Sequence, residues 1–367
     1  MRSVSQPKVK DKDLTLFFHQ KQISISSQVS PLWDPASSRF IRTSWMLDAK
    51  QALPIQSVAA TIRFLSANEA TKLEDLTRRR NVFARHSWEN NFYLQRIREL
   101  ADRTVIEVIR PGDPAAIASE AHVVANAVES VAVLSSVLYA SRSTLQNRLG
   151  ITEYRREVVD FTIGPAFNFL RSRSKREGVV RGVTVDQRFE RRFRRLGLES
   201  LVNESVKSSE LSTRLWQAVQ WLLESRLEPA SDAAVIKTSI ALESLLGAND
   251  TEPLRATLSE RSAFLLSDDP GLRASSSKLI RDFYDARSRV VHGSRKKHRP
   301  PNLRLIEAAD RVVLMLLVTI AANSSSLESF EHLKKWVDDQ RWGQRVRIAR
   351  PFRDGDLKRA LVRGADS

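Results

Sequence analysis

The chain has 367 residues and no cysteine, which excludes disulfides, thiolate nucleophiles and cysteine-ligated zinc or iron–sulfur centres. Its apolar content of 42 % is enough to build buried cores and excludes a disordered polypeptide. Lysine and arginine number 59 against 43 aspartates and glutamates, and the resulting net charge of +16 favours a polyanionic partner such as nucleic acid over a neutral one.

The first residues, MRSVSQPKVKDKD, show no apolar segment of the secretory type. The longest strongly apolar run, VVLMLLVTIAA (312–322), is too short to span a bilayer. Together these predict a soluble, cytoplasmic protein with no membrane partner. Residues 13–26 and 103–111 are rich in β-branched and aromatic side chains and are expected as short strands. Helices are expected at 66–82 and 88–101. After the turn signal PGDP (111–114) a long apolar helix is expected over about 114–141. Residues 1–170 therefore read as a mixed, largely helical region with a few short strands and no recognisable chemical motif.

Residues 171–195, RSRSKREGVVRGVTVDQRFERRFRR, read as a basic connector between domains, too poor in interleaved aromatics to stack bases. From 196 to 325 the pattern changes to amphipathic helices. Leu211, Leu215, Val219, Leu222 and Leu223 recur at helical spacing. SDAAVIKTSIALESLLG (231–247) opens on a Ser/Asp capping signal and stops at Gly247. Further helices are expected at 253–266, at 274–292 with Leu279, Phe283, Val290 and Val291 aligned, and beyond 302. The last carries Leu305, Ile306, Ala309, Val312, Val313, Leu316, Leu317 and Ile320 on one stripe. Short connections punctuated by Pro and Gly make this a compact bundle. Residues 326–367 form a basic tail with Trp336, Trp342 and Phe352. The expected fold class is mainly α.

Several chemistries lack their residues. No GxxxxGK[ST] phosphate loop, GxGxxG turn or HExxH pair occurs, and the six histidines are scattered without metal-ligand spacing, so neither a metal nor another cofactor is expected. The acid in VIEVIRPGDP lacks the Glu-x-Lys partner that a metal-dependent nuclease of restriction type would use. What remains is YDARSRVVHGSRKKHR (284–299). Ser288 and His292 are i, i+4 neighbours on one helix face, Arg287 lies one step round, and Arg289 is a second cation i, i+3 to the histidine. A metal-free ribonuclease needs a group that exchanges protons near neutrality and a fixed cation on the scissile phosphate. His292 supplies the first and Arg287 the second. The plainer alternative is a histidine capping the end of a helix, with the arginines paired to acids such as Asp282 and Asp285; spacing alone leaves both open.

Three segments in order resemble the HEPN domains, and within them the Apea-like group. SIALESLLG (239–247) is similar to the helix bearing a characteristic acid, here Glu243; LSERSAFLL (258–266) is similar to the next helix; LIRDFYDARSRVVHG (279–293) is similar to the signature Y-x-x-R-S-x-x-V-H-G. The likeness covers roughly 190–322. It implies a bundle of four to five helices and a metal-independent endoribonuclease of a prokaryotic defence or toxin system. It also implies a homodimer that brings two motifs to one site, RNA as partner, and an antitoxin or defence protein as a further partner. Residue by residue, Arg287 would bind the phosphate and His292 transfer the proton. Ser288 would orient either, and Glu243 would hold the arginine. Arg289, Arg295, Lys296, Lys297 and Arg299 would dock the RNA backbone. The competing reading is a non-catalytic nucleic-acid-binding or dimerisation module on the same fold; a metal-dependent nuclease in the N-terminal half is a third.

Overall fold

The computed structural model describes residues 37–44, 46–80, 98, 100–111, 114–139, 155–163, 168–176, 183–247, 253–292, 301–344 and 347–365. The strand expected at 13–26 and nearly all of the helix expected at 88–101 lie outside them.

Strands β1 (Ser37–Thr43), β2 (Leu47–Ala49), β3 (Leu53–Ile55) and β4 (Ala60–Leu65) lead into helix α1 (Ala67–Arg80), strand β5 (Arg103–Pro111) and helix α2 (Pro114–Ser135). Two further long strands, β6 (Arg155–Ile163) and β7 (Asn168–Arg176), complete an antiparallel sheet of order β3-β4-β5-β1-β6-β7. The period of two along these strands sends neighbouring side chains to opposite faces. Phe40, Ile62, Ile106 and Val108 join the main core with α2, whereas Ile41, Leu65 and Val105 pack with Ala70 and Leu73 of α1 in a smaller core. Because β5 is covered on both faces, its sequence is a nearly unbroken apolar run rather than an alternating one. Its one buried acid, Glu107, takes a 2.9 Å hydrogen bond from Arg63 Nε. Glu129 of α2 is buried against Arg42 and accepts a 2.5 Å hydrogen bond from Ser44, which ties the helix to the end of β1 through charge as well as packing.

The chain between 171 and 195 carries the end of β7, strand β8 (Val183–Val185) and helix α3 (Gln187–Arg195). β8 pairs in parallel with β2, and Phe189 and Phe193 are buried and stacked at 5.8 Å. The basic connector expected here is thus built into the fold: one apolar core runs through it, from Leu47 and Val124 to Leu198 and Leu317. The charges hide an i, i+4 aromatic pair that faces inward while the arginines face out.

Beyond it come α4 (Leu198–Glu204), α5 (Glu210–Leu227), α6 (Ser231–Leu246), α7 (Leu254–Leu266), α8 (Pro270–His292), α9 (Leu303–Ala322), α10 (Phe330–Arg341) and α11 (Asp354–Ala365). Among the described residues the protein is mainly helical, and its strands all precede α3. α6 starts on Ala230 with no side-chain cap, so Ser231 is the first helical residue and not the cap expected of it. α8 instead has a cap: Asp269 accepts from the Leu272 N–H at 2.8 Å, and Pro270 occupies the first helical position, where no N–H is needed. α9 packs on α4 to α8 and on α11. It is therefore buried on nearly all sides, including Ala308, Leu314, Met315 and Val318, which lie off the expected stripe. The tail supplies part of that cover: Trp336 and Phe352 are buried, and Trp342 is exposed.

Inside the bundle Arg226 of α5 and Asp310 of α9 form a sealed ion pair at 3.4 Å. Thr238 donates to the same carboxylate at 2.8 Å and lies 2.6 Å from Ser225. Among the described residues one stretch, Ile117–Leu138, is long and apolar enough to cross a membrane, and 78 % of its apolar window is buried inside the fold.

Candidate functional site

The C-terminal end of α6 is held by cations from two neighbouring helices. Arg214 of α5 donates to the carbonyls of Ser244 and Gly247 at 3.3 and 3.1 Å, and Arg261 of α7 donates to that of Leu246 at 2.7 Å. Both guanidinium groups also lie over the ring of Phe330, at 4.0 and 5.5 Å. These cations satisfy carbonyls that the helix end leaves without partners. Gly247 closes the turn: its N–H reaches the Glu243 carbonyl at 2.7 Å, and a Cβ at this position would overlap that same oxygen. Glu243 thus projects from a rigid helix end toward α8.

On α8 the buried positions Leu272, Ser276, Leu279, Ile280, Phe283 and Tyr284 make one stripe, and Arg287 continues it at the rim. The Tyr284 hydroxyl donates a short hydrogen bond to Glu243 Oε1. Burial raises the Tyr284 phenol well above its ordinary range, and the Glu243 hydrogen bond and charge push it the same way against the weaker pull of Arg287. The phenol therefore stays a donor at every working pH. Arg287 Nη2 lies 3.8 Å from Glu243 Oε1, an ion pair beyond hydrogen-bond distance, and its Cζ stands 5.4 Å from the Tyr284 ring centre. Its Nε is buried and has no hydrogen-bond partner among the described residues. Such an orphan donor costs about 1–3 kcal/mol.

Glu243 and Arg287 lie together, with Tyr284 between them as a third member absent from the expected site residues. The signal for it was present: Tyr284 opens the motif and lies i−3 to Arg287, on its face. Ser288 and His292 share the solvent side of the last turns of α8, both exposed. Five positions on an α-helix separate Arg287 from His292 by about 140° around the axis, and the guanidinium turns inward to Glu243 rather than toward the imidazole. No hydrogen bond or ion pair among the described residues joins His292 to Arg287, Ser288 or Glu243. Arg289 is exposed beside them, and Val291, expected in the core, is exposed in the last turn of the helix. Asp285 pairs with Arg255 of α7 at 2.7 Å. Arg295, Lys296, Lys297 and Arg299 lie outside the described residues.

Among the described residues no group of three or more His, Asp or Glu side chains is placed to hold a metal ion. Compared with family models, curated proteins and solved structures, the chain matches none.

Proposed function

We propose that the chain is a HEPN-type, metal-independent endoribonuclease that acts as a homodimer in a prokaryotic defence or toxin setting. Arg287 carries this reading. It is a half-buried guanidinium whose counter-ion is already engaged by Tyr284, and its Nε points at no acceptor. The terminal Nη groups would grip phosphodiester oxygens in the forked geometry guanidinium groups favour, while the covered Nε stays out of that contact. Glu243 holds the arginine by charge without consuming its donors, and the Tyr284 hydroxyl aims that carboxylate.

His292 is the proton carrier in this scheme, serving the attacking 2′-hydroxyl or the leaving oxygen. Within one chain it faces away from Arg287, and a composite site built from two copies is the arrangement that reconciles the pair. Exposed Val291 and Leu303, at the end of α8 and the start of α9, offer apolar surface for such a pairing. The exposed Arg289 and the basic run 294–299 then meet the RNA backbone.

The test is cleavage of total RNA in EDTA by the purified chain. His292→Ala and Arg287→Ala are each expected to lower the rate by about 10²–10⁴-fold with the fold intact by circular dichroism. Full activity in His292→Ala, or an activity that EDTA removes, would sink the assignment. Salt-sensitive RNA binding without cleavage in the unaltered protein would give preference to the binding-module reading.

A further inference from the structure

A second site lies away from α8, where α3, α9 and α11 meet behind the short 3₁₀ turn Ser136–Leu138. A cavity of about 210 Å³ opens there, and four guanidinium groups line it: Arg192 and Arg195 from α3, Arg311 from α9 and Arg359 from α11. Among the described residues the carboxylates set against them are Asp356 in the wall and Glu307, which pairs with Arg311 at 3.2 Å. Arg311 is buried on the cavity floor, and Arg192 lies over the ring of Tyr139 at 4.5 Å. Arginines converge on one concave space at a cost in mutual repulsion that a neutral ligand would not offset.

We propose that this cavity binds a small phosphorylated ligand of mononucleotide size. The charge surplus and the forked donors select a phosphate monoester, the anion that guanidinium groups grip in bidentate fashion. Leu196 and Met315 give the cavity an apolar wall beside the charged end, suited to the uncharged remainder of such a ligand. A cavity of this volume, open to solvent on one side, seats the phosphate and the near part of one nucleoside, the remainder reaching outward. Asp356 sets the competition inside the site. Its burial works to raise the carboxyl, but the Arg353 backbone N–H, the Arg359 side chain and the charge of Arg195 outweigh that and keep it below its ordinary range. An ionised Asp356 occupies Arg359 at 2.5 Å and holds it until a stronger anion arrives.

This proposal is independent of cleavage at Arg287, because its readout is binding. Calorimetric titration of the full chain with the four 5′-mononucleotides should give a Kd below about 1 mM for at least one, and no binding of the matching nucleoside. Arg195→Gln and Arg359→Gln, both at exposed positions that the fold tolerates, should each weaken binding by about tenfold or more. Asp356→Asn, which keeps an oxygen for the Arg353 N–H, should tighten it. The proposal is overturned if no mononucleotide saturates, if the nucleoside binds as well, or if neither arginine variant changes the affinity. Inorganic phosphate binding as tightly as the nucleotide would overturn the assigned ligand size.

Discussion

Thr238 and Glu243 stand on the same helix, α6, yet the polar clusters they serve differ in kind. Thr238 points into the bundle, where Arg226 and Asp310 are 1 % and 0 % exposed and the described hydrogen bonds join α5, α6 and α9. Glu243 points to the rim, where it and Arg287 are 26 % and 29 % exposed. A closed cluster fixes how helices register, since each polar group specifies its partner and nothing else can enter. An open cluster, reached by solvent, can be reached by a ligand. The two share a helix, so the inner one can brace the outer one.

Breaking the closed cluster should have the largest effect. Asp310→Ala leaves the Arg226 guanidinium charged in a space without water, and the expected loss is about 3–5 kcal/mol by urea unfolding. The double variant Arg226→Met/Asp310→Leu should recover most of it, because packed apolar groups replace the pair at similar volume. A single-variant loss below about 1 kcal/mol would mean that the pair is not sealed.

The closed cluster was invisible in the sequence. Arg226, Thr238 and Asp310 belong to three helices, and their meeting depends on bundle packing that no local pattern encodes. The helices themselves were legible because apolar residues at 211, 215, 219 and 222, or at 279 and 283, repeat with the helical period and all are buried. Residues 171–195 misled because arginine density masks Phe189 and Phe193, and hydropathy averages over a window whose inward face is only two rings wide. Val291 misled in the other direction, since the pattern continues past the point where the neighbouring helices stop covering it. At the rim, the pairing of Glu243 with Arg287 followed from a family likeness rather than from spacing, and the intervening Tyr284 lay in the same motif unread.

Moving the open cluster without altering its residues is the next largest perturbation. Gly247→Ala puts a Cβ into the Glu243 carbonyl, so the end of α6 must shift; about 1–3 kcal/mol should be lost by thermal unfolding. Gly355→Ala, where nothing lies within 4 Å of an added Cβ, should stay within about 0.5 kcal/mol of the parent. Equal effects at the two glycines would show that the α6 terminus is not the constraint.

Tyr284→Phe probes the rim directly and should cost about 1 kcal/mol below pH 9, at the modest end because solvent reaches the carboxylate. The phenol is raised in the folded state, so the native chain keeps its proton where the unfolded chain has lost it. Its stabilising contribution is complete below the ordinary tyrosine range near pH 10 and is lost as pH climbs through the raised value. The stability gap between the parent and Tyr284→Phe should therefore shrink at alkaline pH. A gap that widened above pH 10 would place the proton elsewhere.

The smallest expected effect separates distance from burial as the origin of the contrast. Arg255 and Asp285, on α7 and α8, approach to 2.7 Å, closer than Arg226 and Asp310 at 3.4 Å, but they are 50 % and 43 % exposed. Water and salt screen such a pair, and holding two flexible side chains in one geometry offsets much of the attraction. A double-mutant cycle with Arg255→Ala and Asp285→Ala should give a coupling below about 0.5 kcal/mol, falling further in high salt. A coupling above about 2 kcal/mol would make contact distance the governing variable, and the open cluster at Glu243 would then have to be counted as structural like the closed one. A weak coupling leaves enclosure as the difference, and with it the case that Arg287 stands at the rim to meet something from outside.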